Sequence, residues 1–254
     1  MVTSPITVLE YGHRIKSTWI RRAGLVDSRS SVQDVKFAPK HLGLLIATIS
    51  SDGTLRIYEA PDIMNLSQWN PIHDICTNLS CTSLDWNPSP FHAPMIAVGS
   101  DDDGTNAYNV ESGYNSETST SKVILFEAAE TSRRWFKVDV IPFITGTVQD
   151  LSFAPNIGRD DHVLAIANGT DVKIVSIKPV SQSSSWIDGS NGQQFTSPTG
   201  TRPPGPKYKF KLLAHFTEHA SKVWKVEWNI MGTILGSSSE DGTIKLWKCK
   251  FQII

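Results

Sequence analysis

The string Val32-Gln33-Asp34-Val35-Lys36-Phe37-Ala38-Pro39 returns almost unchanged at Val148-Gln149-Asp150-Leu151-Ser152-Phe153-Ala154-Pro155. A chain that copies itself at this scale is built from stacked supersecondary units, and a fold that does not repeat is excluded. Ser83-Leu84-Asp85-Trp86-Asn87-Pro88 and Lys225-Val226-Glu227-Trp228-Asn229 follow the same grammar more loosely. In each, an aliphatic and an aromatic residue alternate with polar ones, the period of a strand.

Each copy is followed by a second run of small apolar residues: Leu45-Ile46-Ala47-Thr48, Met95-Ile96-Ala97-Val98-Gly99, Val163-Leu164-Ala165-Ile166-Ala167 and Thr233-Ile234-Leu235-Gly236-Ser237. Small side chains there predict close sheet-to-sheet packing. Two of the runs meet Ser51-Asp52-Gly53-Thr54 and Glu240-Asp241-Gly242-Thr243, where Asp-Gly supplies the positive φ that a tight hairpin needs. Third strands follow at Leu55-Arg56-Ile57-Tyr58, Val123-Ile124-Leu125-Phe126, Val172-Lys173-Ile174-Val175 and Ile244-Lys245-Leu246-Trp247. The last residue of each is the predicted packing plug, worth roughly 2–3 kcal/mol by area when it is aromatic. Further strands at 135–141 and 208–216 complete four-stranded antiparallel sheets, the blades of a β-propeller. The expected blades lie near 31–76, 81–141, 147–216 and 222–254, within a single domain covering 1–254. Polar stretches at 101–121 and 181–206 have the composition of surface loops.

Composition narrows the function classes. At 39% hydrophobic and 19% charged residues the chain is globular. Its formal charge of −1 gives no general pull toward nucleic acid or anionic membranes. The N-terminus lacks the basic-then-apolar pattern of a signal peptide, and the longest apolar stretches are too short to span a bilayer. A soluble, unsecreted protein without membrane insertion is expected. Cys76, Cys81 and Cys249 form no CxxC pair, so we expect reduced thiols. Without a signal peptide, the sequons at Asn65, Asn78 and Asn168 are expected to go unused.

Ser-x-Asp-Gly-Thr ahead of Ile-Lys-Leu-Trp, with His219 before the strand that carries Trp224 and Trp228, resembles a WD repeat. More specific strings sit in loops that the repeat does not dictate: Phe37-Ala38-Pro39-Lys40-His41-Leu42-Gly43-Leu44, Arg56-Ile57-Tyr58-Glu59-Ala60-Pro61-Asp62 and Met64-Asn65-Leu66-Ser67-Gln68-Trp69. With Pro94-Met95-Ile96-Ala97-Val98-Gly99-Ser100-Asp101 and Val223-Trp224-Lys225-Val226-Glu227-Trp228-Asn229, they are similar to the Seh-type WD-repeat nucleoporins over about residues 19–248. The resemblance implies an open six-bladed propeller in the Y-shaped scaffold of the nuclear pore, at the nuclear envelope, serving mRNA and protein transport. It also implies a helical scaffold nucleoporin that donates a blade, with other Y-complex nucleoporins alongside. A second home is implied in the GATOR nutrient-sensing complex, with its WD-repeat subunits, in the cytoplasm and at the lysosomal surface. The chain departs from the family pattern in showing only four strand sets. Residues 6–10 and 19–26 are expected to be outer strands of a preceding blade, and the final blade lacks a convincing outer strand. A partial form of a six-bladed chain accounts for both; a self-closed four-blade fold is the alternative. A vesicle-coat propeller of the Sec-thirteen type and a propeller-borne hydrolase are the competing functional readings.

Few residues hint at catalysis. His215-Phe216-Thr217-Glu218-His219 fits the HxxEH zinc pattern, which requires a helix, whereas the local reading is strand then turn. Asp101-Asp102-Asp103-Gly104 lacks the alternation of a calcium loop. The basic cluster Arg14, Lys16, Arg21 and Arg22 reads as a charged edge strand. We expect no catalytic residue, cofactor or metal. Val226, Trp228, Leu246 and Trp247 are the candidate partner-binding residues, exposed if the blade stack is incomplete.

Two outcomes follow for the purified protein. His215→Ala combined with His219→Ala removes no activity; stoichiometric zinc lost in that double mutant would show a metal site. Replacing residues 181–206 with a short Gly-Ser linker leaves the melting temperature within about 2 °C, because loop closure entropy varies only logarithmically with length.

Overall fold

Four times the backbone enters a sheet through a six-residue strand, doubles back, and works outward by antiparallel hairpins. The computed structural model describes residues 9–15, 18–77, 79–101, 122–129, 134–156, 158–180 and 207–248. The first sheet orders β3 (Val32–Phe37), β4 (Leu45–Ser50), β5 (Thr54–Glu59) and β6 (Asn70–Cys76). The second holds β7 (Cys81–Trp86), β8 (Met95–Ser100), β9 (Val123–Ala128) and β10 (Trp135–Ile141). The third holds β11 (Val148–Phe153), β12 (His162–Asn168), β13 (Asp171–Pro179) and β14 (Tyr208–Phe216). The fourth has three strands among the described residues, β15 (Val223–Trp228), β16 (Ile234–Ser239) and β17 (Ile244–Lys248). This is an all-β, open WD-type propeller. The expected outer strands at 135–141 and 208–216 are present, whereas β6 has no counterpart among the strands read from the sequence.

A separate two-stranded sheet, β1 (Leu9–Ile15) with β2 (Thr18–Leu25), precedes the four. Of the expected strand at 6–10, Leu9 and Glu10 lie on β1 and residues 6–8 are outside the described residues, while the expected strand at 19–26 matches β2. Arg14 lies on β1 and Arg21 and Arg22 on β2, while Lys16 is outside the described residues. Leu25 packs with Ile46, Tyr58, Ala60 and Trp69, so the hairpin covers the outer part of the first sheet.

Every first strand carries the same irregularity. Gln33, Thr82, Gln149 and Trp224 are each an extra residue opposite the second strand. Such a bulge breaks the pairing locally and re-aims the next side chain. On β3 and β11 the re-aimed residue is an aspartate that reaches the following sheet: Asp34 accepts the Leu84 N–H at 3.0 Å, and Asp150 accepts the Val226 N–H at 2.9 Å. The Trp86 and Trp228 indoles return the link, donating to the carbonyls of Lys36 at 3.1 Å and Ser152 at 3.0 Å. Between the second and third sheets the pattern shifts. Ser83 stands where the aspartate would be and Phe153 where the tryptophan would be, so Asp85, two residues on, accepts the Phe153 N–H at 2.7 Å.

Small residues set the spacing between these sheets. A Cβ on Gly99 would come within 2.6 Å of Val148 Cγ1 in the next sheet. Ala47, Ala97, Ala165 and Ala167 on the second strands are fully buried. The hairpin turns are as the Asp-Gly pairs predict: Gly53 and Gly242 both take φ of 77°, with the aspartate before each accepting the following threonine N–H. The third sheet turns at Asn168-Gly169 instead, with Gly169 at φ 63°. Tyr58, Phe126 and Val175 are buried plugs, and Trp247 is half-buried.

Burial raises the Asp85 carboxyl to about 6, against the pull of the Phe153 N–H. An unfolded aspartate titrates near ~3.9. Below that value both states are protonated and nothing is lost; as pH climbs to about 6 the unfolded chain ionises first, so this group's contribution falls and stays low above it. Asp85→Asn keeps an acceptor for Phe153 without the titration. It should melt about 2–4 °C higher than the parent at pH 7, the gap closing by about pH 4. Asp85→Ala should lose about 1–3 kcal/mol at neutral pH by stranding that N–H. Thermal melts across the pH range check both.

Candidate protein-interaction faces

Equivalent first-strand positions meet different fates along the stack. Leu84 with Trp86, Leu151 with Phe153, and Val226 are all buried against the sheet before them. On β3 the same two positions are Val35 and Phe37, and these are 38% and 50% exposed. The hairpin of β1 and β2 packs on Ile46, the cross-strand neighbour of Phe37, and on Tyr58, which pairs with Ile46 on the next strand. Phe37 touches Trp69 edge-on at 6.5 Å between ring centroids. An apolar strand face is thus partly exposed at the front of the stack.

The back of the stack is open too. Along β17, alternation places Lys245 and Trp247 toward the third sheet and Ile244 and Leu246 away from it. Ile244 is 76% and Leu246 73% exposed. Trp247 stacks on Phe216 of β14 at 4.1 Å and donates its indole N–H to Ser237 at 2.9 Å. Beside this stack lies a groove of about 340 Å3 lined by Ile174, Phe216, Trp228 and Trp247, with Arg159 and Lys248 among its walls.

The four candidate residues therefore divide between two faces. Val226, Trp228 and Trp247 belong to one cluster on the inner side of the last sheet, with Val226 only 2% exposed. Leu246 alone lies on the outer side. Ile244, Val35 and Phe37 were missing from the candidates. The period of two from Leu246 would have found the first, and alignment of the repeats the other two.

The polar residues near these faces serve the fold. His219 contacts Ser237 Oγ through Nε2 at 2.8 Å and Asp241 through Nδ1 at 3.2 Å. Asp241 also accepts from the Thr243 hydroxyl at 2.6 Å and the Ala220 N–H at 3.0 Å. The Thr243 hydroxyl, then the Thr243 and Ala220 N–H groups and His219, hold the Asp241 carboxyl well below the usual carboxylate range. His215 instead faces Asp171 at 2.8 Å. The HxxEH run thus spans the end of β14 and the turn after it, and its two histidines engage different carboxylates. Among the described residues no group of three or more His, Cys, Asp or Glu is placed to hold a metal. Asp102 and Asp103 lie outside the described residues, as do 181–206.

Elsewhere, buried ionisable groups hold sheets together. Glu127 accepts from the Tyr208 hydroxyl at 2.5 Å and pairs with Lys207. Lys173 donates to Asn168 Oδ1 at 2.7 Å and to the Phe143 carbonyl at 2.9 Å, and burial lowers its pKa. His162 meets His92 of the loop between β7 and β8 edge-on at 4.6 Å, and burial pushes His162 down to about 4, leaving its own ring neutral at pH 7.

Comparison with known proteins agrees with this architecture. The WD domain, G-beta repeat, family matches residues 210–248, the span from β14 to β17. Nucleoporin SEH1 of Pongo abelii is 47% identical over 240 residues, 94% of this chain and 59% of that protein. The Homo sapiens protein of the same name is 46% identical over the same shares. That of Danio rerio is 45% identical over 94% of this chain and 58% of its own length. The chain spans about three fifths of the length of these curated relatives. With one bulged first strand, small-residue second strand and plug repeated through four sheets, and with close to half its residues shared with these proteins, the chain carries a WD repeat and is homologous to the curated nucleoporin SEH1 proteins over most of its own length.

Proposed function

We propose that the chain is a non-catalytic scaffold subunit of the nuclear pore complex, acting as one propeller unit whose open faces receive strands from a helical nucleoporin. The observation that carries this reading is the pair of apolar strand faces at the ends of the stack, Val35 with Phe37 and Ile244 with Leu246. Contiguous apolar surface of that kind marks interfaces. Extended segments add to sheet edges through main-chain hydrogen bonds, while side-chain pockets give specificity. The edge of β17 has no partner strand among the described residues, and the groove beside Trp228 and Trp247 supplies pockets. Burying about 1,000–1,500 Å2 there would reach the size of a stable interface.

The relatives' name, nucleoporin, supports the nuclear envelope as the site of action and other nucleoporins as neighbours. Finer assignments rest on the resemblance in the loop strings: transport of mRNA and protein, and a second membership in the GATOR assembly at the lysosomal surface. Co-purification separates these from a coat role, which would bring outer vesicle-coat subunits.

The test is a sizing column followed by thermal melting. Expressed alone, the chain should run as a polydisperse or self-associated species; with the strand-bearing segment of the helical nucleoporin it should run as one complex with a higher, sharper melt. A monomeric peak with a cooperative melt that the segment leaves unchanged would favour a self-closed four-blade fold.

A further inference from the structure

A second concave surface lies on the first sheet's outer end, and its residues are arranged by a bulge. On β2, Arg21 pairs with Gly12 and Ala23 with Tyr11, which leaves Arg22 as the extra residue. In a regular strand consecutive side chains point to opposite faces. A bulge cancels that alternation, and here Arg21 and Arg22 both line one groove of about 400 Å3. The opposite wall is the turn after β5, contributing Ile63, Met64 and Leu66.

That turn is pinned. Asp62 Oδ1 accepts the Met64 N–H at 2.8 Å, the Asn65 N–H reaches the Asp62 carbonyl at 3.2 Å, and the Trp69 indole N–H reaches the Leu66 carbonyl at 3.2 Å. Trp69 itself is buried. These contacts present Ile63 at 73% and Met64 at 93% exposure. Isolated exposed apolar residues need no explanation, but two adjacent ones, joined by Leu66 and facing two guanidinium groups across a concavity, form a composite surface. Methionine adapts to varied apolar partners, and arginine's planar fork matches a carboxylate.

We propose that this groove docks a short acidic segment of a partner protein, seating an apolar side chain against Met64 and Leu66 and pairing a carboxylate with Arg22. An anionic membrane is the poorer fit. Recognition of acidic lipid takes a cluster of about 4–8 basic residues, and this groove is concave where a bilayer would demand a protruding wedge. The groove shares no lining residue with the groove beside β17, so the two can be altered separately.

Fluorescence anisotropy with labelled synthetic peptides of about twelve residues tests the proposal, using the full chain, with the nucleoporin strand segment present if monodispersity requires it. The probes are a Leu-Phe pair flanked by Asp and Glu, and the same pair flanked by Lys. The acidic peptide should bind in roughly the micromolar range and weaken at high salt. Met64→Ser and Arg22→Glu should each weaken it about tenfold or more, Arg22→Gln less, while Ile244→Ser at the far face changes nothing. Unchanged melting of Arg22→Gln shows that the fold survives. The proposal is overturned if the acidic peptide does not bind, if the basic peptide binds as tightly, or if vesicles of phosphatidylserine and phosphatidylcholine capture the chain in place of the peptide.

Discussion

Between successive sheets, a backbone N–H on one first strand ends on a carboxylate carried by the strand before it. Asp34 receives Leu84, Asp85 receives Phe153 and Asp150 receives Val226. An N–H buried between two sheets without such an acceptor would cost about 1–3 kcal/mol, and hydrophobic contact alone would not fix the angle at which the sheets meet. On β3 and β11 the link uses the bulge directly, since a regular strand would aim Asp34 and Asp150 elsewhere. Where the second sheet carries Ser83 instead of aspartate and the third Phe153 instead of tryptophan, the hydroxyl of Ser83 is left buried with no hydrogen-bond partner, and Asp85 takes over two positions on. Its raised pKa is the consequence of placing an acid in so dry a joint.

Because each link points from one sheet to the next, it does nothing for the ends of the stack. The first sheet offers Val35 and Phe37 to whatever precedes it, and the last offers Ile244 and Leu246 to whatever follows. The same packing rule that buries these positions inside the stack makes them adhesive at its ends. Under the proposed scaffold role, completing these sheets with a partner's strands would use that property directly. The polar networks of the last sheet fit this role: His219, Asp241, Ser237 and Trp247 lock the hairpin of β16 and β17 to the turn after β14, so that the terminal sheet holds its shape with one face uncovered.

The groove between Arg22 and Met64 follows different logic. It depends on one inserted residue in β2 and on a capped turn, neither of which belongs to the repeat. Its parts lie some forty positions apart in sequence, and the packing of Leu25 and Ala23 with Ile46, Tyr58, Trp69 and Leu66 brings the hairpin alongside the first sheet.

The order of strands, the Asp-Gly turns and the outer strands at 135–141 and 208–216 were legible in the sequence, because alternation and turn chemistry are local. The strand β6 was not, since Asn70-Pro71-Ile72-His73-Asp74-Ile75 mixes proline and charge in the manner of an exposed edge and shows little apolar signal. The third hairpin was legible in principle, as Asn168-Gly169 is a turn pair. Which apolar residues form a surface could not be read locally at all. Val32-Gln33-Asp34-Val35-Lys36-Phe37 and Val148-Gln149-Asp150-Leu151-Ser152-Phe153 are nearly the same string in nearly the same strand. Yet Phe37 is 50% exposed and Phe153 is 5% exposed. Local sequence set the strand, the bulge and the direction of the aromatic ring; whether water or another sheet meets that ring depends on what the stack places in front of it.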